Sequence, residues 1–301
     1  MTKVVYILIF IISFGFYKAD AQTELLRKEI EQIIANKKAD VGVAIYGIES
    51  GDTLSINNET HFPLQSIFKF HIALAVLDLV DKGDFLLMQE IQIGKNELLP
   101  NTWSPIRDKY PNGVKMSIGE IIKYTVAQSD NNGCDILLRL IGGPEVVNEY
   151  VHNLGIKDFS IQFNEEEMHK EWNVQFANWT TPKAANDLLL LFYSNNIISK
   201  ASFDFLWKTM IETSTGKKRI KGKLPEGTMV AHKTGTSGTN EEGVTAAIND
   251  IGIVILPNGE HIAISVFVAN SKENEEVNEM IIADITKLTW DYFINQPNLT
   301  P

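Results

Sequence analysis

The order in which strand and helix periodicities follow one another constrains this chain more than any single residue does. A hairpin is written near the start: Val41 to Ile48, a turn at Glu49-Ser50-Gly51-Asp52, then Thr53 to Ile56. From Pro63 to about Met210 apolar residues recur at helical spacing, with hardly any strand signal. Strand character returns at Thr228 to Lys233, Val244 to Asn249, Gly252 to Leu256 and His261 to Ala269, with Pro257-Asn258-Gly259-Glu260 as a tight turn. A lone hairpin makes a poor sheet, so the early strands are expected to join the late ones. Amphipathic helices at Thr23 to Lys38 and from about Glu275 to Phe293 then belong on one face of that sheet. The predicted fold class is α/β (α+β) and discontinuous. An antiparallel sheet flanked by terminal helices is formed by 22–62 plus 213–301, with an all-α lobe, 63–212, inserted.

With 301 residues the chain can bury a sizeable core. Its first residues read as a targeting signal. Lys3 supplies charge, Val4 to Phe16 is an apolar run, and Ala19-Asp20-Ala21 precedes a cleavage point at Gln22. The run is shorter than the ~20 residues that span a bilayer. Residues 1–21 are therefore expected to be a cleaved signal peptide, which makes the mature protein periplasmic or secreted, free of the membrane and monomeric. The only cysteine, Cys134, sits in an apolar helical stretch and reads as a buried, inert thiol. The net charge of -11 disfavours nucleic acid and anionic membranes as partners. Six histidines show no metal-ligand spacing, so no metal and no cofactor is implied. A small-molecule substrate remains.

Three short motifs carry the chemistry. Ser66-Ile67-Phe68-Lys69 puts a hydroxyl and an amine one turn apart on a helix that is apolar nearly all round from Phe68 to Leu79. Burial would move such an amine toward the neutral form that accepts a proton from Ser66. Ser129-Asp130-Asn131 offers a second hydroxyl beside an amide that both donates and accepts. Lys233-Thr234-Gly235 closes a strand, and Gly235 lets the backbone approach a ligand. Each is weak alone, since S-x-x-K recurs at Ser214 and S-x-N at Ser55 and Ser194.

Taken in order, the three motifs resemble those of the penicillin-recognising serine enzymes. Glu165 stands as far beyond Ser129 as class A β-lactamases place their deacylating glutamate. Gln65, Trp103-Ser104-Pro105, Asp130 to Asp135 and Lys233 to Gly238 are similar to the PER-type extended-spectrum branch of that class. The resemblance implies a β-lactam hydrolase that confers resistance, with Ser66 as nucleophile and the Ser66 and Thr236 N–H groups as oxyanion hole. Lys69 or Glu165 through water would take the serine proton, Ser129 would pass one to the lactam nitrogen, and Lys233 would polarise Ser129. Glu165 would activate the deacylating water. Asn131 would bind the acylamide, and Thr234, Thr236 and Arg219 the substrate carboxylate. Gly235, Ser237, His169 and an entrance wall at Trp103 complete the site, although a tryptophan filling core is an open alternative there.

The chain departs from the broad family around the glutamate. His169 stands where an asparagine usually holds the hydrolytic water, and Phe163 and Asn178 replace an arginine–aspartate pair that closes the loop. The expectation is a loop without its clamp, a wider gap, and bulky oxyimino-cephalosporins as substrates. The rival readings are a D-alanyl-D-alanine peptidase and a β-lactam sensor that does not turn over.

Overall fold

The computed structural model describes residues 22–295; the expected signal peptide lies outside them. Helix α1 (22–34) leads into β1 (Asp40–Gly47) and β2 (Thr53–Ile56), and β3 (Phe62–Pro63) passes the chain to the helical half. There a 3-10 turn at Gln65–Ile67 runs into α2 (Phe68–Lys82). It is followed by β4 (Glu90–Gly94), α3 (Pro105–Lys109), β5 (Gly113–Ser117), α4 (Ile118–Ala127), α5 (Asn131–Ile141) and α6 (Pro144–Asn153). Next come β6 (Phe159–Ser160), α7 (Glu165–Met168), β7 (Trp179–Thr180), α8 (Pro182–Tyr193) and α9 (Lys200–Ile211). The chain returns through β8 (Val230–Thr236), β9 (Thr245–Ile255) and β10 (His261–Ser271), and closes with α10 (Glu275–Ile294).

The main sheet has the order β2-β1-β10-β9-β8, every neighbour antiparallel, so the early hairpin does pair with the late strands. Strand β10 shows why both faces are covered. Ile262, Ile264, Val266 and Val268 point to one side, into a core shared with Leu26 and Ile30 of α1 and Ile281, Ile282 and Ile285 of α10. Ala263, Phe267 and Ala269 point to the other, into the core of the helical half. Alternation along one strand thus places both terminal helices on one face and the inserted helices on the other.

Two details differ from the sequence reading. Strand β9 runs unbroken through Asp250, where the sequence reads as two strands, because the buried Asp250 carboxylate has partners: His232 Nδ1 at 3.0 Å and the Ile220 amide at 3.2 Å. The helical half also holds two small sheets, β4-β5 and β3-β7-β6, whose strands of two to five residues are too short to show a period of two.

Candidate active site

Ser66 lies on the 3-10 turn that opens the fully buried stretch Phe68–Leu77 of α2. The turn is held in an uncommon shape: Gln65 has φ 48°, in the left-handed region, at a cost on the order of 1 kcal/mol for a non-glycine residue. Its buried amide donates to Gln175 Oε1 at 2.8 Å, which ties the residue before Ser66 to the far end of the Glu165 loop. Gly235 shapes the same turn from below. A Cβ there would stand 2.6 Å from Leu64 O, so the close approach made at this glycine is to the chain's own turn, where the sequence had suggested a ligand.

Lys69, wholly buried, reaches four oxygens. Its Nζ lies 2.9 Å from Ser66 Oγ, 2.8 Å from Ser129 O and 2.8 Å from Glu165 Oε1, and it also donates to Asn131 Oδ1. Ser66 Oγ is 3.4 Å from the same Glu165 oxygen. Ser129 sits at φ 59°, just ahead of α5, and its Oγ accepts from Lys233 Nζ at 3.0 Å. Burial first, and the neighbouring Lys69 charge second, hold the Lys233 amine well below its usual range. Ser66, Lys69, Ser129, Glu165 and Lys233 therefore form one connected cluster between the sheet edge and the helical half.

Glu165 opens α7, a single turn capped by Asn164. Its position is fixed from α5: the Asp135 carboxylate accepts the Glu165 N–H at 2.8 Å and the Glu166 N–H at 3.0 Å. The neck of the loop is closed by Asn178, which is completely buried. Its Oδ1 accepts from the Gln162 and Phe163 amides at 2.8 and 3.0 Å, and its Nδ2 donates to Phe163 O at 2.7 Å. The expectation of an unclamped loop is thereby corrected. An amide that both donates and accepts fastens backbone on both sides of Phe163, and no ion pair is needed.

His169 is exposed and its Nδ1 turns back on Glu165 O at 2.6 Å. With Gln65, Ser66, Asn131, Thr236 and Ser237 it lines a cleft of ≈ 330 Å³. Trp103 is 60% exposed with its Nε1 on Gln128 O at 2.9 Å, which rules out the core-filling alternative. Asn131 is already engaged, donating to Thr102 Oγ1 at 2.6 Å. Thr234 is buried and shares a 2.6 Å hydrogen bond with Thr215 Oγ1.

Arg219 requires a correction. Only 3% exposed, it offers no open fork to a ligand carboxylate. Its Nη1 donates to Gly235 O and Asn249 O, its Nε pairs with Glu279 at 3.2 Å, and its Nη2 donates to Thr236 Oγ1 at 2.8 Å. The guanidinium stands behind the strand and reaches the cleft side through a threonine hydroxyl. Sequence reasoning assigned no role to Asp135, Gln175, Thr215 or Glu279. Asp135 was signalled by its place one helical turn after Asn131, within the stretch that resembles the PER-type branch, and the others act across long sequence separations that no local pattern reveals.

A two-layered fold with a buried lysine and a glutamate beside an accessible serine defines a serine hydrolase of the penicillin-recognising type. A sequence profile of the beta-lactamase enzyme family matches residues 25–293. Beta-lactamase VEB-1 of Pseudomonas aeruginosa is 53% identical over 285 residues, 94% of this chain and 95% of that protein. Extended-spectrum beta-lactamase PER-1 of the same organism is 42% identical over 282 residues, 93% of this chain and 91% of that protein. The crystal structure of TLA-1 extended-spectrum beta-lactamase, 57% identical, superposes with a TM-score of 0.89 over 90% of this chain and 99% of its own. The chain belongs to the beta-lactamase enzyme family, as a class A serine β-lactamase of the PER and VEB type.

Proposed function

We propose that this enzyme hydrolyses penicillins and cephalosporins, oxyimino-cephalosporins among them, through an acyl-enzyme on Ser66 that a Glu165-activated water resolves. The observation that carries the reading is Lys69 Nζ, 2.9 Å from Ser66 Oγ and 2.8 Å from Glu165 Oε1 in a buried position. Ser66 Oγ attacks the lactam carbonyl as its proton passes to the Lys69–Glu165 pair. The oxyanion forms against the Ser66 and Thr236 N–H groups, where one donor is typically worth ~10²–10³ in rate. The C–N bond breaks as Ser129, held by Lys233, gives its proton to the lactam nitrogen and takes in its place the proton that the Lys69–Glu165 pair accepted from Ser66. Water then yields a proton to Glu165 and attacks the ester, and that proton returns to Ser66 Oγ as the C–O bond breaks, which frees Ser66 and the ring-opened acid.

In this reading Asn131 meets the acylamide, while Thr234 and Thr236, backed by the Arg219 charge, meet the substrate carboxylate. The oxyimino part is supported by the ≈ 330 Å³ cleft between His169 and Ser237, and by the extended-spectrum relatives. Export follows from the leader pattern in 1–21, with the mature monomer acting in the periplasm or outside the cell.

Turnover of a chromogenic cephalosporin tests the hydrolase reading: many turnovers per Ser66 support it, and one stoichiometric burst refutes it. Steady-state kinetics of cefotaxime and ceftazidime against cephalothin test the spectrum. Comparable kcat/KM is expected; a drop of about a thousandfold for both oxyimino compounds, ~4 kcal/mol of lost transition-state binding, would overturn that part.

A further inference from the structure

Two ionisable side chains behind β8 take no part in the reaction as described. His232 and Asp250 are both completely buried, on the face of the sheet that carries Val230 into the core shared with α10. Asp250 stands directly opposite Thr234, and His232 Nδ1 lies 3.0 Å from each of its carboxylate oxygens. Strand β9 makes room for the pair: Gly252 is opposite His232, and a Cβ there would stand 2.7 Å from His232 Cβ. Asp250 Oδ2 also accepts the Ile220 N–H at 3.2 Å, which ties the turn that carries Arg219 to β9.

Hydrogen bonding decides where the charge of the pair sits. His232 Nε2 is buried and has no hydrogen-bond partner among the described residues. An imidazolium would bury that nitrogen as an unpaired donor, whereas a neutral ring protonated at Nδ1 leaves only a lone pair unpaired. His232 is therefore a neutral donor, and the negative charge of Asp250 is left to act on the cations around it. Lys221 is half-buried nearby, with its ammonium disfavoured by burial and favoured by Asp250. Arg219 reaches Asn249 O, one residue away, and already has Glu279 as its partner.

Lys233 follows His232 on β8 and points to the other face, where its Nζ donates to Ser129 Oγ and Thr234 O. No carboxylate among the described residues pairs with it directly. Burial opposes its ammonium most, Lys69 of α2 next and Arg219 least, while Asp250 and then Glu165 of α7 favour it. The Cys134 thiol of α5 is close by and held protonated by burial. Of the two acids, the one with no other task in the reaction thus does more for Lys233, across one thickness of sheet where solvent does not screen it.

We propose that Asp250, held in place by His232, is a positioning residue for β-lactam cleavage: an interior anion behind β8 that keeps Lys233 charged against Ser129. It acts through Lys233 and touches no reacting atom. The role rests on the hydrolase reading, in which Lys233 holds Ser129 as the lactam C–N bond breaks.

The test follows the alkaline limb of kcat/KM for benzylpenicillin, together with an NMR titration of the Lys233 Cε carbon that separates this lysine from Lys69. Asp250→Asn removes the charge and keeps the shape; Asp250→Ser removes it with a different shape, should the first variant fail to fold. Without the anion the Lys233 ammonium loses its proton more easily, so the limb and the Cε midpoint should both move to lower pH by about half a unit or more. His232→Gln keeps a donor and leaves Asp250 its charge, so its Cε midpoint should stay within about 0.2 units of the unaltered enzyme's. A purely structural pair would lower Tm, or kcat/KM evenly across pH, and leave the midpoint in place. A midpoint unmoved by the loss of the Asp250 charge, or moved as far by His232→Gln, overturns the assignment. Absence of turnover by the unaltered enzyme would instead strike the hydrolase reading.

Discussion

Arg219 Nη2 donates to Thr236 Oγ1 at 2.8 Å, and that bond carries a buried cation's influence to the edge of the substrate cleft. The same guanidinium donates to Gly235 O and Asn249 O and pairs with the Glu279 carboxylate, so it is anchored before any substrate arrives. Arg219→Ala should raise KM for benzylpenicillin about tenfold with a smaller change in kcat, because a carboxylate anchor acts on ground and transition states alike. It should also lower Tm, since removing one partner of a buried pair costs about 3–5 kcal/mol and the Glu279 side chain is only 13% exposed. Lys217 and Lys218 are exposed, and alanine at either should change neither quantity appreciably. Equal kinetic effects at all three positions would point to diffuse attraction.

Asn178 fastens the loop neck by donating and accepting at once, which predicts an unusual ranking of variants. Asn178→Asp keeps the acceptor for the Gln162 and Phe163 amides but loses the donor to Phe163 O and buries a charge beside that carbonyl. It should be less stable at pH 7 than at pH 5, because a buried acid with no cation beside it has its pKa raised, and the stability it keeps when protonated is lost as pH rises. The unaltered protein compared by thermal melts at both pH values gives the baseline. A variant as stable at pH 7 as at pH 5, relative to that baseline, would contradict the clamp.

Burial pushes the Asp135 carboxyl up to about 6 from an ordinary 3.8, against the lowering effect of the Glu165 and Glu166 amides. The folded protein thus holds this proton more tightly than the unfolded chain, and ionising Asp135 costs stability as pH rises from about 4 to about 6. Asp135→Asn has no such proton. Its stability relative to the unaltered protein should therefore climb across that window, by up to about 3 kcal/mol, and level off above pH 7. The same variant should deacylate slowly, since an asparagine cannot accept both amides as the carboxylate does. A stability difference that does not vary with pH would refute the account of Asp135.

What was legible in the sequence was what repeats or clusters. Strands β1, β2, β8 and β10 of the main sheet, both terminal helices and the Ser66–Lys69 turn announced themselves through periodicity and short spacing, whereas β9 read as two strands. The Asn178 clamp did not, because a missing ion pair reads as a loss until the backbone amides that replace it are seen in place. Arg219 was legible as a cation near the carboxylate site but not as a buried one, since Glu279 approaches it from sixty positions further along the chain. Gly235 was legible as a close approach, and only the fold tells that Leu64 O is what approaches.

The central claim is that Glu165 frees the product from Ser66, and intact-protein mass spectrometry of Glu165→Gln after brief mixing with benzylpenicillin tests it most directly. Glu165 is buried 3.4 Å from Ser66 Oγ, whereas Glu166 is exposed. An enzyme that has lost the base for deacylation but kept its nucleophile should accumulate a one-to-one adduct on Ser66 that decays over minutes or longer, with kcat down by about a hundredfold or more. Glu166→Gln should show no adduct and near-normal turnover. Free turnover by Glu165→Gln with an adduct building up on Glu166→Gln would contradict the account.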